Sequence, residues 1–198
     1  ELGEQEQKRL FGLMQKNLDD LRLAGQESRI AGATTAGAIM RLHDSLEEAL
    51  TELSHKVDVQ GSEHIISLAN RNQLLGSLQE SLVEYGDAIR HTRKSESLAH
   101  LSEVFLESLD ALVGAAIDAV EENDASELER IWNATHSRSD QMRVIRKRMF
   151  ADENMLSDED RLDLMNLTNS LERTVWLLHQ YIKELREYGS EENQDAAS

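Results

Sequence analysis

The chain has 198 residues, 39% hydrophobic and 30% charged, with a formal charge of −17. That balance belongs neither to a disordered chain nor to a membrane-embedded one. So much negative charge argues against nucleic acid and against broad docking on an anionic membrane, because both need clustered cations. With no cysteine, disulfides, thiolate nucleophiles and cysteine-ligated zinc are excluded, and a cytosolic setting is favoured.

Proline is also absent and only 4% of residues are aromatic. The strongest helix breaker is missing, and Leu, Ala, Ile and Val dominate the apolar set, a mixture that suits long helices far better than sheets. No apolar run approaches the roughly 20 residues that span a bilayer. The start, Glu1-Leu2-Gly3-Glu4, has neither a basic segment nor a Met, and it reads as cut from a longer protein, whose missing part could be a membrane domain.

Apolar positions recur at helical spacing almost from end to end. The first stripe is Leu10, Met14, Leu18, Leu21, Ala24, then Ala31, Thr35, Ile39, Leu42, Leu46, Leu50 and Leu53. Its centre, residues 31–38, is all small. Small side chains let a neighbour approach closely or let the helix bend, so one long helix and two joined near Gly25 both fit. A second region opens at Gly61-Ser62 and carries Ile65, Leu68, Leu75, Leu78, Leu82 and Ile89, and Lys94-Ser95 marks the next turn. Leu98, Leu101, Phe105, Leu109, Leu112, Ala116 and Val120 form the third stripe. Asp124-Ala125-Ser126-Glu127 has capping-box spacing and predicts one helix holding Leu128, Ile131, Met142, Ile145 and Met149. Ser157-Asp158-Glu159-Asp160 opens the last helix, with Leu164, Leu167, Leu171, Val175, Leu178, Ile182 and Leu185, its acids complementing the positive helix end. The polar tail, residues 190–198, is expected to be disordered.

The fold class predicted is all-α, an elongated antiparallel bundle of five or six helices. With six, the helices fall into two sets of three, and Leu78 and Leu82 overlay Leu167 and Leu171. Two Leu-rich helices align in part by composition alone, so a repeat and a coincidence both remain open.

Nothing in the pattern makes a catalytic set. There is no Gly-rich phosphate loop and no Gly-x-Ser-x-Gly elbow, and no carboxylate stands isolated in an apolar stripe. Of seven histidines, only Glu52-Leu53-Ser54-His55 has the Glu-x-x-His spacing of a di-iron bundle; nothing complements it, and it reads as a surface coincidence. Asp87 and His91, one turn apart, have the spacing to share an ion and read rather as a solvated side-chain pair. No cofactor and no metal site are expected. One basic cluster stands out: Arg138, Arg143, Arg146, Lys147 and Arg148. It fits cations complementing a helix C-terminus, and it also fits a docking patch for an acidic partner or membrane-proximal headgroups. Trp132, Phe150 and Trp176 sit at or beside apolar stripes and read as wedges between helices, an exposed recognition surface being the alternative.

Two segments of the second half, Asp140-Gln-Met-Arg-Val-Ile-Arg-Lys-Arg-Met149 and Leu164-Met-Asn-Leu-Thr-Asn-Ser-Leu-Glu-Arg-Thr-Val-Trp-Leu-Leu178, carry a family resemblance. They resemble the PhoU-like cytosolic region that follows the membrane part of bacterial sodium-dependent phosphate cotransporters. Leu82-Val-Glu-Tyr-Gly-Asp-Ala-Ile89 is a shorter echo, similar to the Gly-Asp stretch on a late helix of each PhoU repeat. The resemblance implies tandem three-helix repeats, here residues 1–93 and 94–189. It further implies a regulatory or coupling role on the cytoplasmic side of the inner membrane, without catalysis. The implied partners are the chain's own transmembrane domain, a transporter or signalling protein, or a second copy in a homodimer. PhoU proteins often bind metal through a Glu followed four residues later by Asp. Here Asp87 is preceded by Val83, and Glu172 is followed by Trp176, so the motif is degenerate in both halves and no family-type metal cluster is expected. A free-standing PhoU-type regulator and a helical sensor bundle unrelated to phosphate are the alternatives.

Overall fold

The computed structural model describes residues 5, 7–9, 11–12, 14–16, 29–56, 59–136, 138–151 and 156–195. Six helices follow one another: α1 (Arg29–Ser54), α2 (Val59–Thr92), α3 (Ala99–Glu122), α4 (Ala125–His136), α5 (Arg138–Phe150) and α6 (Asp158–Asp195). The described positions from Gln5 to Lys16 are helical as well. No strand occurs among the described residues, and none of their helices is long and apolar enough to cross a membrane. The all-α expectation holds. The join near Gly25 lies outside the described residues.

Helix ends follow local chemistry. Asn123 closes α3 in the left-handed region (φ 53°), a conformation Asn tolerates, and the Asp124 amide returns to the Ala119 carbonyl at 2.9 Å. Asp124 Oδ1 then accepts the amides of Ser126 (2.9 Å) and Glu127 (3.1 Å) to start α4. The Glu127 amide bond, followed by the Ser126 hydroxyl, holds the Asp124 carboxyl below its usual range. Half of the expected box forms, because the Glu127 carboxylate turns to Arg130 Nε at 2.8 Å. At α6 the box is reciprocal: the Asp160 amide donates to Ser157 Oγ (3.1 Å), and the Ser157 amide donates to Asp160 Oδ2 (3.3 Å).

Two boundaries differ from the sequence reading. α2 starts at Val59, so Gly61 and Ser62 lie inside its first turn. α6 continues to Asp195, past the expected end at Ser190, and residues 196–198 lie outside the described set. The helix expected after Asp124 is described as α4 and α5, and Ser137 between them lies outside the described residues. Near the end of α4, Asn133 Nδ2 donates to the Glu129 carbonyl at 3.0 Å, and Thr135 Oγ1 to that of Ile131 at 2.9 Å.

α2 and α6 share the most extensive interface of the bundle, with α1 packed on α2, α4 on α6 and α3, and α5 on α6. Every apolar position expected on α2, from Ile65 to Ile89, is buried, as are Leu164, Leu167, Leu171, Val175, Leu178 and Ile182 of α6. Each fully buried Leu or Ile contributes about 1.5–3 kcal/mol. The amino-terminal positions enter the same core: Gln7 Nε2 donates to the Leu68 carbonyl at 2.6 Å, and Phe11 meets Tyr181 edge to face at 5.1 Å. Leu53, placed on the first stripe, is instead exposed near the end of α1.

α1 approaches α2 closely at one point. Asn72 Nδ2 donates to the His43 carbonyl at 3.3 Å, and a Cβ at Gly76 would lie 2.6 Å from His43 Nε2 and 2.8 Å from Cε1. The half-buried imidazole therefore occupies the space a side chain would need. Gly76→Ala is expected to lose about 1–3 kcal/mol in urea melts. In a His43→Ala background the same change is expected to gain up to about 1 kcal/mol from helix propensity. Additive effects would contradict this close approach.

Candidate functional site

The seam between α2 and α6 runs from a dry interior to an open groove. Inside, Ser81 Oγ and Thr174 Oγ1 are 2.8 Å apart and buried. Burial raises the Tyr85 phenol above its usual range and pushes Tyr181 up to about 12, so both stay neutral. Toward solvent, Arg173 Nη1 meets Glu84 Oε2 at 2.7 Å. Beyond that pair lies an open groove of about 570 Å³ walled by Glu84, Asp87 and His91 of α2 and by Asp163, Asn169 and Arg173 of α6. Rising numbers on α2 face falling numbers on α6, so the two helices are antiparallel. The groove is polar, and its carboxylates are partly neutralised in place, Glu84 by Arg173 and Asp87 by Arg90. Asp87 and His91 do not form the expected side-chain pair. His91 Nδ1 lies 2.8 Å from the Asp87 backbone carbonyl, and the Asp87 carboxylate goes to Arg90.

The two degenerate-motif carboxylates are kept apart. Asp87 lines the groove, whereas half-buried Glu172 lines a separate small pocket with Phe105, Leu109 and Met142. Glu172 Oε2 is held by Arg146 Nη2 at 2.8 Å, and Arg146 Nη1 also reaches Asn169 Oδ1 at 2.7 Å and Thr168 Oγ1 at 3.3 Å. Arg146 thus leaves the basic cluster and becomes a strut between α5 and α6. Arg143 pairs with Asp140 on its own exposed surface at 2.9 Å. Lys147 and Arg148 are exposed on α5 beside exposed Val144. Arg138 opens α5, and its side chain lies outside the described residues.

The aromatic wedges divide similarly. Trp132 and Phe150 are half-buried, the former under the Arg186 guanidinium at 4.5 Å and the latter 6.0 Å from that of Arg161. Trp176 is 57% exposed, which corrects its reading as a wedge: Val175 and Leu177 on either side of it point inward. Val83, four residues before Asp87, is 44% exposed. Glu52 and His55 are exposed at the end of α1.

Two clusters escaped the sequence reading. On α1, ligand atoms of His43, Asp44 and Glu47 lie within 4.8 Å of one another, with both carboxylates exposed. Their i, i+1, i+4 spacing was legible in the sequence. Between α4 and α6, His136, His179 and Trp132 come together. The two histidines are too distant in sequence for any pattern to have joined them. Burial, then the neighbouring His136, lowers the His179 pKa.

Replacing Arg146 with Ala is expected to destabilise the chain by about 1–3 kcal/mol, since it leaves a half-buried carboxylate without its guanidinium. Lys147→Ala and Arg148→Ala are expected to stay within about 0.5 kcal/mol. Chemical melts check both, and equal losses at all three positions would contradict the strut. No family model, curated protein or solved structure matches the chain.

Proposed function

We propose that the chain is a non-catalytic regulatory or coupling domain of a sodium-dependent phosphate transporter, built of two PhoU-like three-helix repeats and working on the cytoplasmic side of the inner membrane. The observation that carries this reading is a shared burial register. The offset that lays Leu78 on Leu167 and Leu82 on Leu171 also lays buried Leu75 on Leu164, Tyr85 on Thr174 and Ile89 on Leu178. It lays exposed Asp87 on exposed Trp176, and Glu84 on Arg173. Glu84 and Arg173 pair with each other at 2.7 Å, as equivalent positions of two antiparallel helices do when a local two-fold axis passes between them. In the same scheme α4 and α5 together correspond to α1.

Such a domain acts by docking. The exposed face of α5, with Arg143, Val144, Lys147 and Arg148, is basic on a chain of charge −17, and it suits an acidic surface of the transporter or of a signalling partner. The test is sodium-dependent phosphate uptake in cells that carry or lack the segment encoding this chain. Removing the segment, or introducing Lys147→Glu with Arg148→Glu, is expected to change uptake by about fivefold while sodium-coupled uptake of an unrelated solute stays constant; a change of that size follows from a coupling of about 1 kcal/mol. Unchanged phosphate uptake in both strains would overturn the reading.

A further inference from the structure

α4 lies against α6, and where His136 closes α4 three rings converge. The centroids of His136 and His179 are 5.9 Å apart, and Trp132 stands 5.8 Å from the first and 5.5 Å from the second. Thr135 anchors one nitrogen of His179. Thr135 Oγ1 lies 2.8 Å from His179 Nδ1 and 2.9 Å from each of the Ile131 and Trp132 carbonyls. In the tautomer in which Nδ1 donates to that hydroxyl oxygen, Nε2 carries the lone pair. Metal-bound histidines are held in this way, with one ring nitrogen donating to a protein oxygen and the other left basic and oriented.

We infer that His136 and His179 form a binding site for a borderline transition-metal ion, Zn²⁺, Ni²⁺ or Cu²⁺, with His179 Nε2 and a His136 ring nitrogen as ligands and water completing the shell. Two imidazoles sharing one tetrahedral ion, with metal–nitrogen bonds of about 2.1 Å, have ring centres roughly 5–6 Å apart, which matches the separation here. Neutral imidazole is the ligand these ions favour over calcium or magnesium. His136 is exposed, so an ion reaches it from solvent. The nearest cations are already countered: Arg186 pairs with Glu129, and Lys183 lies 3.5 Å from Glu187. This site does not depend on the phosphate reading.

Trp132 and Trp176 are the only two tryptophans, so Trp176→Phe leaves an indole beside the site as the sole reporter. Metal-stripped Trp176→Phe chain is titrated with CuCl₂ or NiCl₂ while Trp132 fluorescence is followed, and with ZnCl₂ by calorimetry. A single saturable quenching phase is expected. His136→Gln or His179→Gln should raise Kd about tenfold or more, and Thr135→Val, which spares both ligands but removes the Nδ1 anchor, should weaken binding about tenfold. His43→Gln should leave the phase unchanged. Unaltered affinity in His136→Gln, loss of binding only in His43→Gln, or no saturable quenching would each overturn the site. His136 is exposed, so its variant keeps the fold and decides the question even if His179→Gln melts at a lower temperature.

Discussion

The dry seam between α2 and α6 is the contact on which the other helices depend. Leucines and isoleucines on both sides supply the burial, but apolar side chains alone tolerate a slip of one turn. The buried hydroxyl pair does not. Thr174 Oγ1 gives its proton to the Ser170 carbonyl at 2.8 Å, so Ser81 donates to Thr174. A shifted register would strand the Ser81 hydroxyl, and a buried polar group without a partner costs about 1–3 kcal/mol. With this register set, the Gln7 and Phe11 contacts bring the amino-terminal segment onto α2 and α6, and α3, α4 and α5 gather on α6.

Charge is handled around that seam by local pairing. The outer edge of the seam carries Glu84 against Arg173, and the strut from Arg146 to Glu172 ties α5 to α6 where both partners are only about a fifth exposed. Pairs of this kind add little when fully solvated and more when half-buried, where screening is weaker. Lys147 and Arg148, by contrast, are exposed on α5.

Much of the fold was legible because helical spacing leaves one choice of inner face. All six apolar positions expected on α2 are buried, and the spacings at Asp124 and Ser157 mark true helix starts. What escaped the sequence depends on partners far along the chain. Arg146 looked like a member of a basic run, and only packing of α5 on α6 turns it to Glu172. Trp176 looked like core because it lies between Val175 and Leu177, yet on a helix the flanking positions can point inward while it does not. The proximity of His136 to His179 exists only once α4 has docked.

The central claim is the antiparallel register of α2 on α6, and the chain's lack of cysteine makes it directly measurable. Ser81→Cys with Thr174→Cys would put two thiols where hydroxyls now sit 2.8 Å apart, within reach of a disulfide after small adjustment. Mild oxidation should give an intrachain crosslink, seen as a faster band on a non-reducing gel, and should raise the melting temperature. Ser77→Cys with Thr174→Cys, one turn out of register, should stay reduced. Efficient crosslinking of the second pair, or none of the first, would contradict the account.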